Sequence, residues 1–203
     1  MAVTGALIAL ATALSFVKVY QLPYGGSITL FSMVPIMVIG YKYSWKWGLL
    51  SGFISGILQA ILGATTSQAF AGVEGFNIVL MTVLDFLIAF AVLGLAGIFR
   101  KVVKNDIAAI SLGALFTGFL RLVAHFASGF LLWGSYAESF FQETVNNGFG
   151  DKILTNFSGT GLALVYSAVY NGSYMIPEII ISVIGVAALM GIKPVRKLIT
   201  QKD

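Results

Sequence analysis

The chain has 203 residues, 58% of them hydrophobic and 10% charged, with 12 Lys and Arg against 8 Asp and Glu for a formal net charge of +4. Soluble domains carry roughly 25% charged residues, so so few ionised side chains cannot cover a water-facing surface, and a mean hydropathy of +0.93 excludes intrinsic disorder. With no cysteine and one histidine, a disulfide scaffold, a thiolate or multi-histidine metal centre and a cysteine nucleophile are also excluded. No metal or cofactor is expected. What remains is an all-α membrane protein, one domain over residues 1–203, with the lipid bilayer as its solvent.

The charges leave long gaps. No ionisable residue lies between Lys18 and Lys42, between Lys46 and Glu74, or between Lys152 and Glu178, and about 20 apolar residues at 1.5 Å rise cross the hydrocarbon core. Six spans are predicted, at 2–20, 27–41, 47–63, 77–99, 107–133 and 161–192, with Pro35 inside the short second one. Residues 1–20 lack the basic start of a signal peptide, and equally hydrophobic segments follow to the end.

Counting Lys and Arg in the connections sets the orientation. With the amino terminus in the cytoplasm, Lys42, Lys46, Arg100, Lys101, Lys104, Lys193, Arg196, Lys197 and Lys202 are inside, and only Lys18 and Lys152 are outside. Both termini are therefore expected in the cytoplasm of a multi-pass cell-membrane protein. The net charge reflects this topology, and no nucleic-acid partner is expected. Of the outer connections, 20–26 is a tyrosine-rich Pro/Gly turn and 64–76 is small and polar. The longest, 134–160, carries Glu138, Glu143, Asp151 and three asparagines, and a loop of that length is expected to be a lid, a binding element or disordered.

Two stripes of small residues stand out. Ala2, Ala6, Ala9 and Ala13 recur along one face of the first span, and Gly48, Gly52, Gly56 and Ala60 along one face of the third. Small residues let helix backbones approach in lipid. Each stripe can pack inside the protein's own bundle or serve as a docking face for a partner membrane subunit, and the first span is the better candidate for docking.

Ionisable groups inside a span are costly, and four occur: Asp85, Arg121, His125 and Glu178. Arg121, His125, Gly129 and Trp133 follow at intervals of four, forming a slowly winding stripe on the fifth span. Tyr166, Tyr170, Asn171 and Tyr174 lie on the outer half of the sixth. Asp85, His125, Trp133, Tyr166 and Asn171 are expected to converge at one depth near the outer leaflet. Each has a plainer reading: Asp85 as a counter-charge to Arg121, His125 as an interhelical hydrogen-bonder, Trp133 and Tyr166 as interfacial belt residues. Together, a carboxylate, an amide and aromatic rings suit a small, planar, nitrogenous molecule, whether cationic or neutral. The shortage of basic residues on that side suits phosphate poorly.

The segments Tyr20-Gln-Leu-Pro-Tyr-Gly-Gly-Ser-Ile-Thr-Leu, Leu84-Asp85-Phe86 with the later Gly-Leu-Ala-Gly-Ile-Phe-Arg100, His125-Phe-Ala-Ser-Gly-Phe-Leu-Leu-Trp133-Gly-Ser-Tyr, and Tyr166-Ser-Ala-Val-Tyr-Asn171-Gly resemble the thiamine-specific S-component family of energy-coupling factor (ECF) transporters. The likeness runs from about residue 6 to residue 190. It implies a six-helix substrate-binding membrane subunit without enzymatic activity. That subunit docks through alanines of its first helix, here Ala2, Ala6, Ala9 and Ala13, onto a transmembrane coupling protein driven by two ATPase subunits. It further implies that Asp85 binds the aminopyrimidine of thiamine, that His125, Trp133, Tyr166 and Asn171 line the pocket, and that Gly129 allows close ligand approach. A carrier of vitamin B6 or hydroxymethylpyrimidine needs a similar pocket and remains an alternative, as does an intramembrane enzyme using Asp85 and His125 as an acid–base pair. The chain has no Gly-rich phosphate loop ending in Lys-Ser or Lys-Thr, so energy for uptake must come from partners.

Overall fold

The structure, a computed structural model, describes residues 1–22, 25–66, 69–145 and 148–201. Pro23 and Tyr24 of the tyrosine-rich turn, Ser67 and Gln68, the loop asparagines Asn146 and Asn147, and Lys202 lie outside the described residues. The alanine-rich start forms helix α1, Ala2–Leu14. At Val17 and Val19 the β-branched side chains disfavour a helix and favour strand. There the chain turns into a ribbon of β1, Lys18–Gln21, and β2, Ser27–Thr29. The two pair antiparallel, with an irregularity in register between Lys18 and Tyr20. Phe31 takes a left-handed φ of 62° as the ribbon gives way to α2, Val34–Lys42, whose Pro35 sits in the first turn, where no N–H is needed.

Four long helices follow: α3, Trp45–Thr66; α4, Phe76–Lys101; α5, Asp106–Trp133; and, after a short helix α6, Gly148–Asn156, the longest, α7, Gly159–Gly191. Asn105 caps α5 by accepting the Ala108 N–H at 3.1 Å. A final amphipathic helix, α8, Lys193–Thr200, begins at a proline and is held by its carbonyls. Arg100 donates to Thr200 O and to Tyr41 O, and Lys42 Nζ donates to Leu198 O and Gln201 O.

These elements amend the sequence reading. The all-α expectation misses the ribbon. The expected first span, 2–20, is helical only to Leu14, and Lys18 lies in a strand rather than at a helix end. The expected second span, 27–41, starts as strand and is helical only over Val34–Lys42. Hydropathy cannot separate an apolar ribbon from an apolar helix, and turn chemistry decides between them. At 1.5 Å per residue α1 and α2 reach about 20 and about 14 Å, short of the roughly 30 Å hydrocarbon core. Among the described residues four helices are long and apolar enough to cross a membrane, corresponding to α3, α4, α5 with its extension to Thr144, and α7. The 134–160 connection, expected as an irregular loop, is largely helical: short turns continue α5 as far as Thr144, and α6 follows.

Packing is inverted relative to a soluble bundle. On α3 the buried residues are Gly48, Ser51, Gly52, Ser55, Gly56 and Gly63, while Leu50, Phe53, Ile54, Ile57 and Ile61 are exposed. Large side chains turned outward and small ones turned inward are what close helix packing in lipid requires. The glycine stripe therefore belongs to the protein's own bundle. A Cβ on Gly48 would run into the backbone of Gly94, one on Gly52 into Phe90 and Ala91, and one on Gly56 into Phe86. The alanine stripe does the opposite. α1 buries Thr4, Ile8 and Ala11, and Ala2, Ala6, Ala9 and Ala13 are all exposed.

Two substitutions separate these roles. Gly48→Ala is expected to lower the melting temperature in detergent by about 2–10 °C, since overpacking at about 1–3 kcal/mol outweighs the gain in helix propensity of about 1 kcal/mol. Gly5→Ala, where an added Cβ meets nothing within 4 Å, is expected to leave it unchanged or raise it.

Candidate functional site

The ribbon and one end of α3, α4, α5 and α7 enclose a cavity of about 180 Å³. One buried water needs about 10–15 Å³ on the same measure, so the space suits a small organic molecule. Its floor and walls contain the residues singled out in the spans: Asp85 from α4, with Phe86 beside it, Arg121, His125, Gly129 and Trp133 from α5, and Tyr166, Tyr170, Asn171, Tyr174 and Glu178 from α7.

Asp85 stands in a π-helical turn, Thr82–Ile88, within α4. The wider turn narrows the angle between successive side chains and brings Asp85 and Phe86 together onto the cavity face; such π segments are frequent at functional sites. The carboxylate is held from both sides, with its Oδ1 2.8 Å from His125 Nδ1 and its Oδ2 accepting Ser128 Oγ–H at 2.5 Å. On the far side of the imidazole, Arg121 Nε–H donates to His125 Nε2 at 3.2 Å. That nitrogen therefore carries a lone pair, the ring is neutral, and Nδ1–H is the donor to Asp85. Arg121 thus reaches Asp85 through His125 rather than as a direct ion pair, and its guanidinium lies 4.2 Å over the Phe90 ring. The chain Arg121, His125, Asp85, Ser128 joins α4 to α5 with every link a hydrogen bond.

The opposite wall is aromatic. Tyr166 and Tyr170 stack at 5.7 Å between centroids, Tyr170 meets Tyr174 edge-on at 5.9 Å, and Phe140 closes on Tyr166 at 5.2 Å. Tyr166 is 1% exposed and Trp133 8%, so neither is an interfacial belt residue. Trp133 lies 5.5 Å from the Tyr136 ring. Asn171 is oriented from within its own helix: Nδ2 donates to Ser167 O at 3.0 Å, and Oδ1 accepts Tyr174 Oη–H at 2.9 Å. Gly129 allows a close approach, first of all by these neighbours. A Cβ there would lie 2.5 Å from Ser167 Oγ and 2.6 Å from Asn171 Nδ2.

The ribbon is fastened across the top of the cavity. Gly26 N–H donates to Tyr170 Oη at 3.1 Å, and both the backbone N–H and the hydroxyl of Thr29 donate to Glu178 Oε1. Asp85, His125, Gly129, Trp133, Tyr166 and Asn171 thus line one chamber. Sequence reasoning kept Arg121 and Glu178 among the intramembrane charges without placing them in the site, although their cost in lipid was the available signal. Ser128 was missed: a serine three residues after a histidine carries no mark of its own, and only the bend of α4 brings it to Asp85.

A helical membrane protein with an enclosed, polar-floored and aromatic-walled chamber is built to bind a small molecule within the bilayer. Comparison with known proteins narrows the class. Residues 1–143 match the family described as thiamine transporter protein (Thia_YuaJ), and the chain belongs to that family. It is 29% identical over 187 residues to "Thiamine transporter ThiT" of Bacillus subtilis, spanning 86% of this chain and 80% of the relative. It is 26% identical over 217 residues to the protein of the same name in Lacticaseibacillus paracasei, covering 98% and 90%. The solved structure of ThiT from Listeria monocytogenes superimposes with a TM-score of 0.71 at 21% identity, covering 98% of this chain and 96% of that one, a likeness of fold.

Removing a middle member of the buried chain strands charge on both sides. His125→Ala is expected to destabilise the ligand-free protein by about 3–5 kcal/mol, the range for an uncompensated buried charge. Ser128→Ala, which removes a single donor to a carboxylate, is expected to cost about 1.5–3 kcal/mol. Thermal unfolding in detergent gives the order.

Proposed function

We propose that this chain is the substrate-binding membrane subunit, or S-component, of an ECF importer. In this reading it takes thiamine from the outer side and yields it inside when two ATPase subunits, acting through a transmembrane coupling protein, hydrolyse ATP. The observation that carries the reading is the meeting of Asp85 from α4 with His125 and Trp133 from α5 on one cavity of molecular size. Membership of a thiamine transporter family and relatives named for thiamine transport support the choice of vitamin.

The roles follow from the hydrogen-bonding capacity of each group. Asp85 already accepts from His125 and Ser128, but each carboxylate oxygen has a second lone pair, so both can still receive N–H donors from an aminopyrimidine. The groups behind it keep the carboxylate aimed, so little ordering is left to the ligand. Trp133 and Tyr166 present ring faces for heterocycles and for a thiazolium cation. His125 and Asn171, each locked by its neighbours, set the polar edges, and the glycine at 129 leaves room for the Asn171 amide. With the ribbon across the chamber, the ligand is drawn away from water, where electrostatic contacts strengthen.

The topology in this reading has six crossings, the first two completed by the ribbon joined to α1 and α2, and both termini in the cytoplasm of a multi-pass cell-membrane protein. That orientation puts nine of the twelve basic residues inside and opens the chamber to the outside. The outward face Ala2, Ala6, Ala9 and Ala13 is the docking surface for the coupling protein, since methyl-sized residues admit a second helix at close range.

Asp85→Asn is expected to weaken thiamine binding at least tenfold, about 1.4 kcal/mol, in a tryptophan-quenching titration. Trp133→Phe should remove the quench itself, while Trp45→Phe and Trp47→Phe, outside the chamber, should retain it. Unchanged affinity in Asp85→Asn refutes the assignment. For docking, Ala6→Leu combined with Ala9→Leu is expected to abolish ATP-dependent uptake in cells supplying the partner subunits, with thiamine affinity within about twofold of the parent; retained uptake refutes the alanine face as the docking surface.

A further inference from the structure

The chamber is one positive charge short. Behind its mouth the charged side chains are Asp85, Arg121 and Glu178, and His125 is neutral because its Nε2 accepts from Arg121. Two carboxylates against one guanidinium leave a net charge of −1. The remaining charged lining residue, Lys18, is exposed on β1, its ammonium 3.4 Å from Gln21 Oε1, where water screens it. Asp85 has its own hydrogen-bonded partners, and Glu178 shares the single charge of Arg121 with it. Glu178 is 4% exposed. Its Oε1 accepts from Thr29, and its second oxygen accepts from none of the described residues. A buried carboxylate is costly unless paired, and the hydrogen bonds that hold this one come from Thr29 of the ribbon.

We propose that Glu178 is the counter-ion of a fixed positive charge on the ligand, and that it selects a cationic heterocycle over neutral molecules of the same shape. The inference rests on the thiamine reading above and goes further by assigning the recognition of the thiazolium charge to a residue outside the aminopyrimidine site. Because Oε1 is bonded to Thr29, a ligand that neutralises Glu178 acts on the group that also holds the ribbon.

The test is a pair of titrations by tryptophan quenching, one with thiamine and one with its neutral isostere in which a thiophene replaces the thiazolium. Wild-type protein is expected to prefer thiamine at least tenfold. Glu178→Gln, whose amide oxygen still accepts from Thr29, is expected to weaken thiamine binding at least tenfold and the neutral ligand less than threefold, erasing most of the preference. Equal wild-type affinity for the two ligands overturns the proposal. So does a Glu178→Gln protein that binds thiamine as the parent does, or one that loses both ligands equally, which would mark Glu178 as a prop for the ribbon alone. Should Glu178→Gln fail to fold, Glu178→Asp gives the answer: it keeps the charge while giving up reach to Thr29, so the preference must survive, and its loss overturns the proposal. Wild-type protein that binds neither ligand instead refutes the thiamine reading itself.

Discussion

The hydrogen-bonded chain from Arg121 through His125 to Asp85 and Ser128 is the constraint on which the site depends. In an apolar bundle none of these groups can fall back on water, so each must be satisfied by the others. That requirement fixes the tautomer of the one histidine, turns the Asp85 carboxylate towards the cavity and ties α4 to α5 where the chamber floor lies. The Asp85 carboxylate has two donors already in place and lone pairs left for a third.

The rest of the architecture brings backbones close enough for that chain to form. Glycines at 48, 52 and 56 let α3 press against α4, and Gly129 lets α5 approach Ser167 and Asn171 of α7. Large side chains, displaced from these contacts, cover the outside, which is what a protein does when its solvent is hydrocarbon. The ribbon then closes the chamber, fastened to α7 at Tyr170 and Glu178. It follows α1 directly, with Ser15 and Phe16 in the cavity lining. The outward alanine face and the binding chamber are therefore neighbours along the chain.

Much of this was legible in the residues. The predicted spans 47–63, 77–99, 107–133 and 161–192 match the four long helices to within a few positions, because crossing lipid demands long apolar runs. The four-residue spacing of Arg121, His125, Gly129 and Trp133 put them on one winding stripe, and a regular helix keeps that promise. Departures came where local geometry is irregular. Hydropathy reads Val17, Val19, Ile28 and Leu30 as continuations of helices, although β-branching and the Gly-Gly turn make a ribbon of them. The polar connection after Trp133 reads as loop, although Phe140 and Phe141, buried against the tyrosines of α7, draw it into helical turns.

By itself the sequence determined the class of solvent, the approximate spans and the set of groups with chemistry to offer, since each depends on composition or on the period of a helix. Only the tertiary structure decided which small-residue stripe turns inward and which outward, that Ser128 and Glu178 join the chamber, and that Arg121 acts on Asp85 through an imidazole. Those outcomes depend on how one helix is rotated against another and on a single π turn in α4. Neither leaves a trace in the spacing of residues along the chain.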